Sequence, residues 1–401
     1  MKAMVEFHIL QNYAPANINR DDTGSPKEAV FGGVVRGRIS SQSMKRAIRT
    51  HMLQHQLLDP SNLGVRTQLV SGAITDQLVH SGRDQQRASE IVEFALGGAK
   101  LSFEDGRSQY LLFLGRNEIS SIAGVINEHW DELNTVTPTS QAVPATDSDE
   151  GVKSAKKTAK DKKLSAKAAV PAEVSKKISS ALDGGKAVDV ALFGRMVADS
   201  HDITRDASCQ IAHAISTNRI EREFDFYTAV DDLQKQDNAG AGMLGTVEFN
   251  SSCYYRYGVV DVQQLLANLG GDVQIALAGL KAFLESVIDA KPTGKQNTFA
   301  AHQPPSFVAF SVRQGGVPVA LTNAFEKPVR PLSDESLVDK SAAALKSHHD
   351  RLDNAYGYAR NATIRTLNLT NSDSVIGDTV ETVDELVAAT VTDVGALLGV
   401  K

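Results

Sequence analysis

A basic run between Phe31 and Thr50 holds the side chains with the clearest chemical potential. It contains five positive charges and no negative one, and these are Arg36, Arg38, Lys45, Arg46 and Arg49. Clustered guanidinium and ammonium groups bind phosphate oxygens, although most charged runs in proteins simply face solvent. Which of the two applies depends on where the charges fall in the predicted secondary structure.

The charges fall at the start of a predicted helix. Residues 35–39 alternate as in a strand, the pair Ser40-Ser41 provides favoured helix N-caps, and apolar residues then recur at helical spacing over residues 42–58. Lys45 and Arg46 would lie in the first turns, where unpaired N–H groups and the macrodipole already make the potential positive. Each cation there costs a few tenths of a kcal/mol, up to about 1 kcal/mol, and an anion would offset that cost. With the neutral donors Ser40, Ser41 and Gln42 close by, the pattern predicts a phosphate-binding site.

Residues 137–171 form a second cationic segment, bounded by prolines and almost free of large apolar side chains. This composition cannot repay the entropy of ordering, so a flexible lysine-rich insertion is predicted. Seven lysines fall between Lys153 and Lys167. The insertion is either a disordered linker or a mobile arm that holds a polyanion, and its composition leaves both open.

Aromatic side chains are concentrated in residues 218–257, an excursion from the main body that ends in a predicted strand. They are Phe224, Phe226, Tyr227, Tyr254, Tyr255 and Tyr257. Most are expected to fill a small hydrophobic core. One or two at an exposed tip could instead stack on nucleic-acid bases.

The common catalytic motifs are missing from the sequence. It has no Walker A lysine, no HExxH and no GxSxG, and its GxGxxG match at residues 240–245 precedes a strand instead of following one. Two cysteines without CxxC spacing provide neither a disulfide framework nor a zinc site. The acidic pairs Asp21-Asp22 and Asp231-Asp232 are more typical of turns than of metal sites. No cofactor or metal is expected, and His201 and His213 are assigned no chemistry.

The distribution of charge matters more than its sum. The chain has 401 residues, 42% of them hydrophobic, and a formal net charge of −6, which by itself discourages nucleic-acid binding. However, residues 372–401 carry six acids and one lysine, and residues 221–232 carry five acids and one arginine, so the remainder has a net charge of +3. We expect a cytoplasmic protein, since no apolar stretch suits a signal peptide or a membrane span.

The order of elements predicts an α+β fold. Strands are predicted at residues 4–10, 188–196 and 246–257, a hairpin at 307–321, and helices at 42–58, 208–216, 262–269, 273–288 and within 372–400. A sheet assembled from distant segments with helices between them fits a split ferredoxin-like, or RNA-recognition-type, topology.

Several motifs in this order resemble the CasC family, the backbone subunit of the type I-E CRISPR Cascade complex. The N-terminal ones are NRDD at 19–22, KEAVFGG at 27–33 and RISSQSMKRA at 38–47. The later ones are ALFGRM at 191–196, IAHAI at 211–215, FYTAVDDL at 226–233, FNSSCYYRY at 249–257 and NAFEK at 323–327. Because these blocks keep their order over most of the chain, the resemblance is specific.

The resemblance implies a hand-shaped protein with an RNA-recognition-like (ferredoxin-like) palm, a helical fingers domain and a β-hairpin thumb. The palm would comprise residues 1–59, 188–216 and 258–401, the fingers 60–187 and the thumb 217–257. Copies would polymerise along a CRISPR guide RNA together with other Cascade subunits and present the spacer to target DNA in antiviral defence. Base pairing would supply sequence specificity, so neither a catalytic residue nor a membrane partner is implied.

The resemblance also implies roles for individual residues. Guide RNA would be bound by Arg20, Arg38, Ser40, Gln42, Lys45, Arg46 and Arg49. A kinked nucleotide would meet Met196, Tyr227 and Thr228, and target DNA would meet Lys27, Lys162, Lys163 and Lys167. Two alternatives are a stand-alone RNA chaperone and a metal-dependent CRISPR-associated endoribonuclease that uses Asp21 or Asp22.

Overall fold

Segments that are far apart in the sequence assemble into two units. The computed structural model describes residues 3–104, 106–138, 170–183, 186–196, 204–229 and 243–400. The first unit contains residues 1–57, 209–263 and 277–401, and the second contains residues 58–208 and 264–276. Residues 188–208 thus group with the second unit, whereas the boundaries implied by the resemblance place them in the palm.

Strands and helices alternate along the chain, as in α+β proteins. The strands are β1 (Ala3–Ala16), β2 (Glu28–Phe31), β3 (Val34–Ile39), β4 (Gly64–Thr67), β5 (Phe103–Glu104), β6 (Arg107–Ser108), β7 (Leu112–Gly115), β8 (Cys209–Ile211), β9 (Ala214–Ser216), β10 (Glu223–Ala229), β11 (Met243–Asp261), β12 (Phe307–Gln314), β13 (Ala362–Asn368) and β14 (Asp378–Val380). The helices are α1 (Ser41–Gln54), α2 (Val70–His80), α3 (Gln85–Gly98), α4 (Arg116–Glu128), α5 (Trp130–Val136), α6 (Ala172–Asp183), α7 (Val188–Phe193), α8 (Val262–Asn268), α9 (Val273–Asp289), α10 (Gln296–Phe299), α11 (Leu337–Tyr356) and α12 (Val383–Leu397). The predicted α+β class and the predicted helices near 42–58, 262–269, 273–288 and the C-terminal region are confirmed.

The first unit is built on one large sheet in the order β14-β13-β12-β1-β11-β9-β3-β2, with β8 and β10 also paired to β11. The central strand β1 is antiparallel to both of its neighbours, β11 and β12. Only the β13–β14 pair is parallel among the pairs of this sheet that the structure describes.

Both faces of β1 are covered. Phe7 points to α9, where its ring lies 6.2 Å from that of Phe283. On the other face Glu6 is fully buried, and its carboxylate accepts from the hydroxyl of Tyr257 at 2.8 Å and from Nε of Arg313 at 2.9 Å. The apolar alternation predicted this strand, but not that its polar face would also be buried, because the partners of Glu6 come from distant strands.

Three local predictions are wrong. Residues 188–193 form helix α7 and not a strand, which short apolar runs cannot reveal by periodicity alone. Residues 208–216 supply strands β8 and β9 instead of a helix, because they add to the edge of β11. The predicted hairpin at 307–321 is also wrong, because β12 pairs with β1 and β13. The chain after β12 contacts a side chain of β1, since the Val319 N–H donates to Glu6 at 2.6 Å.

The second unit has its own apolar core, formed mainly by helices α2 to α6. Beside this core lies a buried ion pair in which Nη1 of Arg195 is 2.8 Å from Oε2 of Glu118, with side chains 1% and 3% exposed. Arg195 also donates from Nη2 to the carbonyl of Leu182 at 2.7 Å, and the Gly115 N–H donates to Glu118 at 2.7 Å. These added hydrogen bonds are what make a buried pair tolerable.

Replacing Arg195 by Met is therefore expected to destabilise the second unit by about 3–5 kcal/mol, because it removes the cationic partner of the buried Glu118 carboxylate. Urea denaturation measures the change. The matched control is Lys177→Met, which removes partly exposed contacts with Glu128, Glu173 and His129 and should have a clearly smaller effect. Equal effects of the two substitutions would contradict the assigned role.

Candidate nucleic-acid interface

Helix α1 places the predicted phosphate contacts. Its N-cap is Ser40, whose backbone is extended and whose hydroxyl accepts from the Ser43 N–H at 3.3 Å. The Ser40 N–H in turn donates to Oδ1 of Asn19 at 2.8 Å, which ties the helix to the loop after β1. Both the helix and its serine cap are thus confirmed.

One face of α1 is buried and the other carries the cations. The buried side chains are Met44, Ile48 and Met52. Gln42 and Arg46 are exposed, and Lys45 and Arg49 are half-buried. The first turn contains no acidic residue, so nothing in it offsets the positive end of the helix dipole.

Arg36 does not belong to this surface. Its side chain is fully buried, and its two terminal nitrogens donate to four carbonyl oxygens at 2.8–3.1 Å, those of Ser216, Thr217, Phe325 and Glu326. Desolvation lowers the pKa of its guanidinium. Arg36 therefore connects distant segments of the first unit, and it was counted wrongly in the basic run as a surface charge.

Arg38 lies at the start of α1 together with Lys27 and His213. Nε of Arg38 donates to the Glu28 carbonyl at 3.2 Å, and its Nη1 lies 3.2 Å from Nδ1 of His213. The Arg38 N–H donates to the Lys27 carbonyl at 2.9 Å, so Lys27 neighbours the expected guide contacts. His213 was missed: the sequence places it in a predicted helix, whereas it follows β8 and reaches α1 only through the sheet.

The loop after β1 forms the rim of an open depression next to α1. The depression is lined by Ser43, Thr293 and Gly294 and by six residues of the loop, which are Ile18, Asn19, Arg20, Asp21, Asp22 and Gly24. Gly294 lies against the backbone, since a Cβ there would be 2.4 Å from the Ile18 carbonyl oxygen. Thr293 and Gly294 were not predicted as site residues, although the polar KPTGK stretch at 291–295 is a signal that could have suggested them.

Asp21 is engaged in hydrogen bonds of its own turn. Its Oδ1 accepts from the N–H and the hydroxyl of Thr23 at 2.9 and 2.7 Å, and from the Ser25 N–H at 3.0 Å. The Thr23 hydroxyl, more than any other group, lowers the pKa of this carboxyl. Among the described residues, no cluster of three or more His, Cys, Asp or Glu side chains could hold a metal ion.

The excursion at 218–257 contains an extended two-stranded ribbon. Residues 223–229 of β10 pair with residues 249–243 of β11, and every residue of β10 is exposed. Tyr227 crosses Gly245, where a Cβ would meet its ring at 2.3 Å, and Thr228 follows it. Three of the six aromatics, Tyr254, Tyr255 and Tyr257, are core residues, whereas Phe224, Phe226 and Tyr227 are exposed. The expectation that most of them fill a core is therefore wrong.

The remaining expected contacts are Met196 and three lysines of the insertion. Met196 belongs to the second unit and is 86% exposed. Lys162, Lys163 and Lys167 lie outside the described residues, as do most of the predicted insertion and residues 230–242.

The N-cap gives a test of the local structure. Ser40→Ala removes the acceptor for the Ser43 N–H and should destabilise the protein by about 1 kcal/mol in urea denaturation. Ser40→Asp keeps an acceptor and should retain stability, since Asp caps as well as Ser does. Ser41→Ala is the matched control with a neutral expected effect; destabilisation by both Ala and Asp at position 40 would refute the capping role.

The chain matches a protein-family model and resembles solved structures. The model of the CT1975-like protein family matches residues 5–389. A solved chain of a CRISPR RNA-guided surveillance complex, pre-nicking, superposes with a TM-score of 0.78 and 27% identity, over 96% of this chain and 100% of that chain. Another chain, of a CRISPR RNA-guided surveillance complex, has a TM-score of 0.69 and 23% identity over 97% and 99% of the two chains, which shows the fold alone.

Two features were not found, namely a curated relative and, among the described residues, a membrane-spanning helix. No curated protein matches the chain. Within the described ranges, no helix combines the length and apolarity needed to cross a membrane.

Proposed function

Since the chain belongs to the CT1975-like family of Cas proteins, we propose that it is a non-catalytic backbone subunit of a type I-E CRISPR Cascade surveillance complex. In this role several copies polymerise along a guide RNA and, with other subunits, present its spacer to target DNA. The likeness at 27% identity to a chain of a CRISPR RNA-guided surveillance complex supports a place in an effector complex of this kind.

The observation that carries the RNA-binding part is the start of α1. Its N-cap and first turn contain no acid, and Lys45, Arg46 and Arg49 follow on the unburied face. Such a helix end favours anions, and phosphate is the anion that a polynucleotide repeats along its length. Arg20 and Arg38 border the same region, so the guide backbone is held irrespective of its sequence.

The sheet supports an RNA-recognition-like palm. Strands β12-β1-β11-β8 are adjacent in that order, and the connections contain α1 between β1 and β8 and α9 between β11 and β12. This is the strand order of a split βαβ ferredoxin-like fold. The β10–β11 ribbon then corresponds to the thumb, and its exposed apolar side chains suit a neighbouring copy or bases.

The finer assignments follow the resemblance. Met196, Tyr227 and Thr228 act at a kinked nucleotide, and each of them is exposed. Lys27, which neighbours Arg38, contacts target DNA, as do Lys162, Lys163 and Lys167. Unstacking at each kink costs a few kcal/mol and lets short ordered segments pair with the target.

The phosphate role predicts a specific change in salt dependence. Lys45→Ala combined with Arg49→Ala should weaken guide binding equally for every spacer sequence and reduce the slope of log affinity against log salt by up to about two. Fluorescence anisotropy over a salt series measures both. The matched control, Lys340→Ala with Lys346→Ala, removes two cations of α11 that form ion pairs with Glu335 and Asp350, and it should leave the slope unchanged. Sequence-selective loss would refute the role.

The endoribonuclease alternative predicts cleavage of bound RNA that depends on Asp21. Because the turn occupies Oδ1 of Asp21, and no group of three or more metal-binding side chains lies among the described residues, we expect no magnesium-dependent RNA products from the wild-type protein. Incubation of target RNA with the assembled complex tests this. Products that disappear with Asp21→Ala, but persist with the loop control Thr23→Ala, would establish the enzyme instead.

A further inference from the structure

The imidazole of His213 has its hydrogen-bonding roles fixed by its neighbours. Its Nδ1 lies 3.4 Å from the Ser41 backbone nitrogen and 3.2 Å from Nη1 of Arg38. A backbone N–H and a guanidinium can only donate. Nδ1 must therefore be unprotonated, and in a neutral imidazole the proton then resides on Nε2.

The charges around the ring keep it in this neutral form. Desolvation contributes most to lowering the pKa of His213, and the positive charges of Arg38 and Lys27 lower it further. Arg38 comes from β3, Lys27 from the loop before β2, and Ser41 from the first turn of α1. Each of these elements presents to the ring either a cation or an N–H donor, and no acid is among the causes of the shift.

Nε2 is thus a hydrogen-bond donor, and its acceptor has to come from elsewhere than the neighbours of Nδ1. The residue is exposed, and within the described part of the chain no group accepts a hydrogen bond from Nε2. Its position beside Arg38 and Ser41 is the position where the proposed function brings the guide backbone.

We propose that His213 is a further guide-RNA contact, which donates a hydrogen bond from neutral Nε2–H to an oxygen of the RNA backbone. This inference rests on the proposed function, because it needs a polynucleotide at the start of α1. The accepting oxygen belongs to a phosphate or to a ribose 2′-hydroxyl, both of which accept from an N–H. Ser41 and Arg38 orient the ring through Nδ1, and Nε2 on the other side of the ring donates to the RNA.

A neutral donor differs measurably from a cation. It releases no counterion from the nucleic acid, so its removal weakens binding without changing the salt slope. Loss of one neutral hydrogen bond corresponds to about three- to tenfold weaker binding. We expect this for His213→Ala at every salt concentration, in contrast to the altered slope expected for Lys45→Ala with Arg49→Ala.

Two conservative variants separate RNA contact from local structure. His213→Asn places an amide oxygen near the position of Nδ1, so it keeps an acceptor for Ser41 and Arg38 but does not reach the RNA. His213→Gln extends an amide donor towards the position of Nε2. We expect the Asn variant to have the wild-type melting temperature and the binding loss of the Ala variant, and the Gln variant to bind within about twofold of wild type. His55→Ala, an exposed histidine just after α1, is the matched control.

The experiment is fluorescence anisotropy of the full chain with a guide-length RNA and with the DNA strand of the same sequence. If the acceptor is a 2′-hydroxyl, His213→Ala reduces the preference for RNA over DNA; if it is a phosphate, both ligands weaken equally. The inference is overturned if the Asn variant binds like wild type, or if loss of His213 lowers the salt slope by about one as a cation would. If the wild-type protein shows no salt-dependent RNA binding, the proposed function itself fails.

Discussion

The long antiparallel pairing of β1 with β11 is the constraint on which the first unit depends. It runs from Met4 opposite Asp261 to Ala16 opposite Asn250, with an irregularity between Tyr13 and Ala16. One end of β1 leads into the loop that contains Arg20, and the same end of β11 leads into the exposed ribbon. Buried Asn17 joins them, since its Nδ2 donates to the carbonyls of Gly24 and Glu248 at 2.9 and 2.8 Å. A single ladder therefore sets the position of both the loop that contains Arg20 and the ribbon.

Buried arginines and exposed arginines have different tasks in this unit. Arg36 and Arg313 are almost fully buried and hold carbonyls and a carboxylate of distant segments, whereas Arg38 lies two residues after Arg36 on the same strand and faces the start of α1. Desolvation of a guanidinium is unfavourable, and in Arg36 and Arg313 several hydrogen-bond acceptors offset it. Sequence spacing does not separate these two cases, because both residues lie on the same side of β3.

Much of the fold could be predicted from local patterns, and the failures have physical causes. Helix α1 was found because its apolar spacing and its Ser40 cap are both local signals. Residues 188–193 and 208–216 were misassigned because short apolar segments take their structure from whichever partner they meet. His213 and Gly294 join the candidate site through contacts across more than 170 residues of chain with Ser41 and Ile18. A polar stretch such as KPTGK can mark a candidate loop, but it does not specify which distant segment that loop contacts.

Several acids of this net acidic chain are offset locally. Asp384 and Glu385 lie in the first turn of α12, where they offset the dipole of that helix. At the base of the ribbon Arg222 binds Glu28 with both ends of its fork, at 2.9 and 2.5 Å, and lies 3.4 Å from Glu248. Helix α1 lacks such acids in its first turn. The start of α1 therefore differs from that of α12, because its first turn contains no acid and is followed by Lys45, Arg46 and Arg49, a combination that favours an anion.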